Sequence, residues 1–287
     1  MKKLAELLEN LGVERRFALD IGSVIYSVRP RGLIHVSADL QYGLEHLLNS
    51  FGLRIEASRE LYRGHDSKSR EGILNEYSSD PAADKWCEVW YSNADAAPVD
   101  QATLFSNPGK FLGYPECCRR SLEGKDALAR LYQRYLFEDS DRHWEINRLA
   151  AIFHDAILMP DFFPCSMSCA SARSYVIPFH DLALRVLSKR EIEEAKKAMC
   201  APITIIAGEI VQWRDWKSDN GRLRVNARSA KKEAISRVSP YLPSIDPSTA
   251  LLVGFKHLLD LEKKVLPRVL SIEVDGCDMM ELSIKLV

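Results

Sequence analysis

The sequence predicts an α+β protein, and three observations carry that reading. Runs rich in β-branched residues, bounded by Gly, Pro and Asn-Gly turn signals, fill the first and last thirds of the 287 residues. Apolar residues at helical spacing dominate the middle third. No internal repeat and no low-complexity linker interrupts the chain. The expected organisation is a mixed α/β part over 1–97, a helical segment carrying the cysteines over 98–200, and a part of β-hairpins with a helix over 201–287. One continuous domain can also hold all three.

The elements follow in order. Leu4, Leu7, Leu8 and Leu11 form a helical stripe that stops at Gly12. Residues 16–28 (RFALDIGSVIYSV) and 32–38 (GLIHVSA) flank RPRG and predict a β-hairpin. Residues 39–52 predict a helix opened by Asp39 as N-cap, closed near Gly52, with Leu40, Leu44, Leu47 and Leu48 inward. Residues 53–58 (LRIEAS) and 85–92 (KWCEVWYS) predict two further strands, with a polar loop over 61–72 between them. In the middle segment, Trp144, Ile146, Leu149, Ile152 and Phe153 predict a helix over 141–157 with a wide buried stripe. Residues 188–199 (SKREIEEAKKAM) predict a charged helix with a solvated face. Toward the end, PITIIAGEIVQW (202–213) and GRLRVNA (221–227) are strand-like and joined through KSDNG, a good turn signal. Residues 247–266 predict a helix with a Ser/Thr start, and 271–287 a hairpin about Asp275-Gly276.

Composition bounds the function. With 46% hydrophobic and 28% charged residues the chain is an ordinary globular one, long enough to bury a core without disulfide staples. A formal net charge of -1 argues against a general nucleic-acid binder. The best local basic strip, residues 221–232, reads as a solvated hairpin and helix start. The N-terminal MKKLAELLENLG lacks the apolar core and cleavage site of a signal peptide, and no run approaches the roughly 18 apolar residues of a membrane span. A cytoplasmic location without membrane partners is therefore expected. There the seven cysteines are kept reduced, which turns attention from disulfides to metal ligation or thiol chemistry.

Two segments concentrate the thiols: FLGYPECCRR (111–120) and FFPCSMSCAS (162–171). Pro115 suits the first turn of a helix, Glu116 complements its dipole, and CCRRSLEG runs as a short helix toward Gly124. Cys117 and Cys118 then lie in a first turn, where free amides lower a thiol's pKa. Pro164 likewise precedes Cys165. If helix starts there, Cys165 and Cys169 share one face at i and i+4; if helix starts only near Cys169, the C-x3-C turn wraps instead. Four converging thiolates repel unless a cation sits among them, and zinc or an iron–sulfur cluster meets that need with tetrahedral sulfur ligation. Buried small hydrophobes, a disulfide between adjacent cysteines and a metal-free dithiol remain the alternatives. Adjacent side chains diverge, which favours the wider [4Fe–4S] cluster on Cys117, Cys118, Cys165 and Cys169 over zinc. The tandem pair is similar, in that one feature, to cysteines holding a [4Fe–4S] cluster in a small subunit of respiratory complex I. Cys87, Cys200 and Cys277 read as isolated small hydrophobes.

LGYPECC followed by FPCSMSC resembles an uncharacterised family of archaeal and bacterial proteins that share Leu-Gly-Tyr-Pro-x-Cys-Cys and Pro-Cys-Ser-x-x-Cys. The likeness covers residues 110–175. It implies that the four cysteines form a unit and implies no activity. Members often carry His where this chain has Asp161 or Phe163, a departure that speaks against a histidine ligand there.

A catalytic centre needs acid–base groups and a substrate clamp as well. Asp161, four residues before Cys165, and His154, at the end of the predicted 141–157 helix, are the nearest candidates. Arg119 and Arg173 follow the cysteines and suit an anionic substrate. The loop 62–70 offers Arg63, His65, Asp66 and Lys68, with His65 as a general acid and Arg63 as a phosphate or carboxylate grip. No P-loop, dinucleotide fingerprint, Gly-x-Ser-x-Gly, His-Glu-x-x-His or calcium loop is present. The reading that results is an iron–sulfur enzyme of sulfur transfer or small-molecule redox chemistry acting on a small substrate. The alternative is a zinc-stapled or dithiol binding module.

Overall fold

The computed structural model describes residues 2–13, 17–63, 74–75, 84–124, 126–135, 143–152, 158–160, 162–206, 209–214, 216–219, 222–226, 230–234, 251–253, 270–274 and 279–284. The fold is α+β, with the four paired cysteines in the helical middle region. Two compact units make up the chain: Met1–Arg119 with Leu158–Asp161 and Tyr175–Ile192, and Arg120–Ile157 with Phe162–Ser174 and Glu193–Val287.

In the first unit, α1 (Lys2–Asn10) buries Leu4 and Leu8 and ends on Gly12, whose φ of 74° is the left-handed conformation that glycine adopts freely. Residues 17–25 correct the sequence reading. They form a helix, α2 (Phe17–Ile25), and the expected hairpin is absent; only its second half is a strand, β1 (Arg31–Ser37). Every residue from Phe17 to Val24 is buried, Asp20 and Ser23 included. A helix buried all round loses the 3.6-residue signature, and its β-branched content then imitates a strand.

The sheet order is β1-β4-β2-β3, antiparallel throughout, with β2 (Arg54–Arg63), β3 (Leu74–Asn75) and β4 (Asp84–Ser92). Because side chains alternate along a strand, Glu88 and Trp90 face one way, and Cys87, Val89 and Tyr91 the other. On the Val89 side, Gln41 at the start of α3 (Gln41–Ser50) reaches Ser58 Oγ at 3.3 Å, Ser58 standing opposite Val89. Leu44, Leu47 and Leu48 are buried as expected, while Leu40 is only half-buried. Asp39 is not the cap: it sits in a 3₁₀ turn, Ala38–Leu40, and accepts from the Ser37 hydroxyl. On the Trp90 side, Trp90 and Ala57 pack with Leu104 of α4 (Gln101–Ser106) and with Leu112, which follows α5 (Pro108–Phe111). Asp100 caps α4 at Thr103 N, 2.9 Å, and Asn107 caps α5 at Lys110 N, 3.3 Å.

Further helices are α6 (Glu116–Ser121), α7 (Ala127–Gln133), α8 (Ala170–Val186) and α9 (Lys189–Cys200). The charged stretch is helical as predicted, opened by a capping box in which Ser188 and Glu191 exchange hydrogen bonds at 2.7 and 3.3 Å. Its last carbonyls, Ala198 and Met199, accept from the buried amides of Gln212 (2.9 Å) and Asn147 (2.7 Å). The 141–157 stretch is no continuous helix where it is described. It makes two 3₁₀ turns, Trp144–Ile146 and Arg148–Ile152, which bury Ile146 and Leu149 but leave Trp144 half-buried.

Two antiparallel four-stranded sheets complete the second unit. One has the order β10-β5-β6-β9, from β5 (Ile203–Ile206), β6 (Glu209–Trp213), β9 (Ala230–Ala234) and β10 (Leu251–Val253). The other runs β11-β12-β8-β7, from β7 (Trp216–Asp219), β8 (Arg222–Asn226), β11 (Leu270–Val274) and β12 (Met279–Ile284). Asp219 pairs with Arg222 around the Asn-Gly signal, and the expected closing hairpin forms as β11–β12. Two expectations change here. Leu251–Val253 is a strand paired with β5, where the 247–266 helix was expected, and the basic strip continues into the strand β9, where a helix start was expected. Non-local pairing decides in both: the short apolar run Leu251–Val253 serves strand or helix equally well, and Ala230–Ala234 is held by its register with β6. Among the described residues no helix is long and apolar enough to cross a membrane.

Candidate metal centre

The first cysteine pair is placed by a helix stop and a helix start in immediate succession. At the end of α5 the amides of Gly113 and Tyr114 bond the carbonyls of Lys110 (3.2 Å) and Gly109 (2.9 Å). This is the double bond pattern of a glycine-terminated helix, and Gly113 has the φ of 77° it requires. Tyr114 stands edge-on to Tyr175 with ring centroids 5.8 Å apart, and the Tyr175 hydroxyl donates to Leu112 O at 2.9 Å. Pro115, which cannot extend the preceding helix, begins the next turn: its carbonyl accepts from Cys118 N and Arg119 N at 3.0 Å each. The Leu-Gly-Tyr-Pro sequence is therefore a corner that delivers Cys117 and Cys118 at the head of α6.

A buried cation, Arg29, bonds Tyr175 and acts electrostatically with Tyr114. Arg29 Nη2 meets Asp20 Oδ1 at 2.6 Å, Arg29 Nε donates to Ser23 Oγ at 2.8 Å, and the guanidinium lies over Phe179 at 5.7 Å. Burial opposes its charge, but Asp20 together with Tyr175, Tyr91 and Tyr114 outweighs that and pushes the Arg29 pKa up, so the guanidinium stays protonated. Burial also raises the pKa of Tyr175, an effect that Arg29 partly offsets, so its hydroxyl keeps its proton. None of this cluster was visible in the sequence, because reading 16–28 as a strand separated Asp20 from Ser23 and Arg29.

The second pair sits in a wrapped turn; the i, i+4 helical arrangement is not the one adopted. Helix α8 begins only at Ala170, and Cys169 N bonds Ser166 O at 3.3 Å. Met167 is fully buried and its carbonyl accepts from His143 N at 2.7 Å. The Tyr135 hydroxyl donates to Pro164 O, and Arg134 Nη1 to Cys165 O at 2.7 Å. Phe163 lies under Arg148 at 4.6 Å. Cys169 Sγ accepts from Ala172 N at 3.3 Å.

The sulfurs of Cys117, Cys118, Cys165 and Cys169 all lie within 4.8 Å of one another, a group able to hold a metal ion. Cys117 and Cys118 stand 3.9 Å apart. Their backbone is helical without a left-handed φ, so adjacent cysteines converge here although neighbouring side chains were expected to diverge. No disulfide links the four among the described residues. Cys118 is buried, Cys165 and Cys169 half-buried, and Cys117 exposed. The donor set suits a soft or borderline cation: four thiols, with Arg119 next to Cys118 in sequence and Arg134 bonded to Cys165 O to offset surplus negative charge. Cys87 and Cys200 are different. Burial pushes both up to about 11, so they remain thiols at neutral pH.

The other candidates scatter. His65, His154 and Asp161 lie outside the described residues, as does Cys277. Arg63 is in β2, paired with Asp84 of β4 and Leu74 of β3. Arg119 packs over Gly109, where a Cβ would stand 3.1 Å from its Cγ, and its Nε is buried with no hydrogen-bond acceptor among the described residues. Arg173 reaches Glu145 Oε1 through Nε (3.1 Å) and Nη2 (2.9 Å). Burial works to raise the Glu145 pKa, yet its own backbone amide and Arg173 prevail and lower it.

The model of a family described as "Protein of unknown function (DUF483)" matches residues 89–182, about a third of the chain, from within β4 into α8. That agrees with an uncharacterised family and takes in all four clustered cysteines. No curated protein and no solved structure matches the chain.

Proposed function

We propose that the chain is a zinc–thiolate protein in which Cys117, Cys118, Cys165 and Cys169 hold one ion that organises the helical middle segment, with function in binding a partner. The spacing of the sulfurs carries this reading. A tetrahedral ion with sulfur at about 2.3 Å sets its ligands about 3.8 Å apart. The 3.9 Å between Cys117 and Cys118, and the 4.8 Å limit on every pair, match that scale. The thiolates of a [4Fe–4S] cube sit on four different irons and stand roughly 6 Å apart. An iron–sulfur enzyme, with Asp161, His154 or His65 as acid–base groups and Arg63 or Arg119 as an anion grip, would need the two pairs to separate.

Four protein thiolates leave no open position, which suits a structural ion. A bound ion would neutralise charge and close the loop 119–164, coupling metal binding to local folding. Metal and sulfide analysis of protein purified anaerobically under reducing conditions tests the proposal. The expected result is a colourless protein with one zinc per chain. Four irons with four sulfides and a band near 400 nm, or four free thiols with no metal, would overturn it.

A further inference from the structure

We infer that Cys117 is a modification site: the thiolate at which this centre reacts with a small oxidising electrophile, for which hydrogen peroxide is the simplest probe, and so opens. The inference rests on the zinc–thiolate reading above. Three observations single out this residue. Of the four clustered cysteines only Cys117 is exposed; Cys118, at 1% exposure, lies beneath it. Cys165 and Cys169 are only half-buried, which leaves them within reach as resolving thiols but less open to solvent than Cys117. And the remaining described cysteines, Cys87 and Cys200, are held as thiols by burial, whereas the attacking species is the thiolate.

The chemistry closes within the cluster. The Cys117 sulfur attacks one oxygen of the peroxide, the O–O bond breaks, and hydroxide leaves, so the thiolate becomes a sulfenic acid. A thiolate of the later pair, Cys165 or Cys169, attacks that sulfur; the S–S bond forms, the S–O bond breaks, and the departing hydroxide takes a proton to become water. Peroxide has accepted two electrons, and two thiolates have become one disulfide. The resolving sulfur comes from the later pair because those sulfurs lie within 4.8 Å. Cys118, at 3.9 Å, is buried, and bonding to its own neighbour would close an eight-membered ring around a strained peptide bond. With two of four ligands consumed the site no longer holds its ion. The same exposure makes Cys117 the first target of an alkylating reagent.

The test uses the full chain, reduced, with its metal counted before any oxidant is added. One equivalent of peroxide is then given beside a colorimetric zinc indicator, and the products are digested and mapped by mass spectrometry with and without dimedone. Expected are release of about one zinc per disulfide formed, dimedone on Cys117, and a Cys117 link to Cys165 or Cys169. Oxidation at Cys87 and Cys200 should be at least about tenfold slower. The Cys87→Ser/Cys200→Ser variant should release zinc at the unaltered rate. Zinc-bound protein that keeps its ion under peroxide, or that is oxidised first elsewhere, Cys277 included, overturns the inference and leaves the zinc reading standing. A chain without stoichiometric metal overturns both, and shows itself before peroxide is added.

Discussion

Glu88 shows what single residues contribute away from the metal centre. Its carboxylate is nearly buried and receives Trp90 Nε1 at 2.7 Å, Arg59 Nη2 at 3.1 Å and His35 Nε2 at 3.2 Å. Burial alone would raise its pKa, but the bonds from His35, Trp90 and Arg59 outweigh that and bring it from 4.5 to about 2. The folded state therefore stays ionised where the unfolded state takes up a proton. Its contribution, about 3 kcal/mol, is complete above the unfolded pKa and is lost as pH falls from about 5 toward 2. Urea denaturation at several pH values should show the gap between wild type and Glu88→Gln closing across that interval; a constant gap would mean that Glu88 titrates normally. Residues of this kind are silent in a sequence, because Glu88 gains its partners only through strand register, His35 on β1 and Arg59 on β2. The clustered cysteines were legible for the opposite reason: few side chains bind soft metals, so two close pairs already narrow the chemistry.

Among elements, two glycines of the first unit separate backbone strain from steric fit. At Gly113 an added Cβ would meet only Tyr175 Cε2 at 3.8 Å, an ordinary contact, so Gly113→Ala should cost only the left-handed backbone, about 1–2 kcal/mol. At Gly32, on β1, an added Cβ would overlap the ring of Tyr91, its register partner on β4. Gly32→Ala should therefore destabilise by more, on the order of 3 kcal/mol, by forcing a buried ring out of place. Denaturation midpoints rank the two directly, and an equal or reversed order would refute the assignment. Local signals served well where a stop or start is itself local: Gly12 after α1, and Pro115 with Glu116 at the head of α6. They failed for α2, buried on all sides, and for Leu251–Val253, a short apolar run whose state depends on pairing with β5.

For the whole molecule, an ion bound only by the folded chain adds stability through mass action. Removing it with a strong chelator under reducing conditions should lower Tm by on the order of 10 °C, since about 4 kcal/mol corresponds to ligand at a thousandfold its Kd. Zinc should restore the transition and magnesium should not, thiolate being a poor ligand for a hard ion. Cys118→Ser should melt near the chelated protein and no longer respond to chelator; a chelator effect of unchanged size would place the ion elsewhere. By itself the sequence determined the α+β class, the limits of elements such as α1, β1, β4 and α9, and the four thiols as the donors to watch. Those follow from periodicity, turn chemistry and side-chain type, which act over a few residues. Tertiary structure alone decided how near the two cysteine pairs come, the cation–tyrosine cluster behind the Leu-Gly-Tyr-Pro corner, and which thiol meets solvent. Forty-six residues separate Cys118 from Cys165, and a chain of that length has no preferred end-to-end distance until packing imposes one.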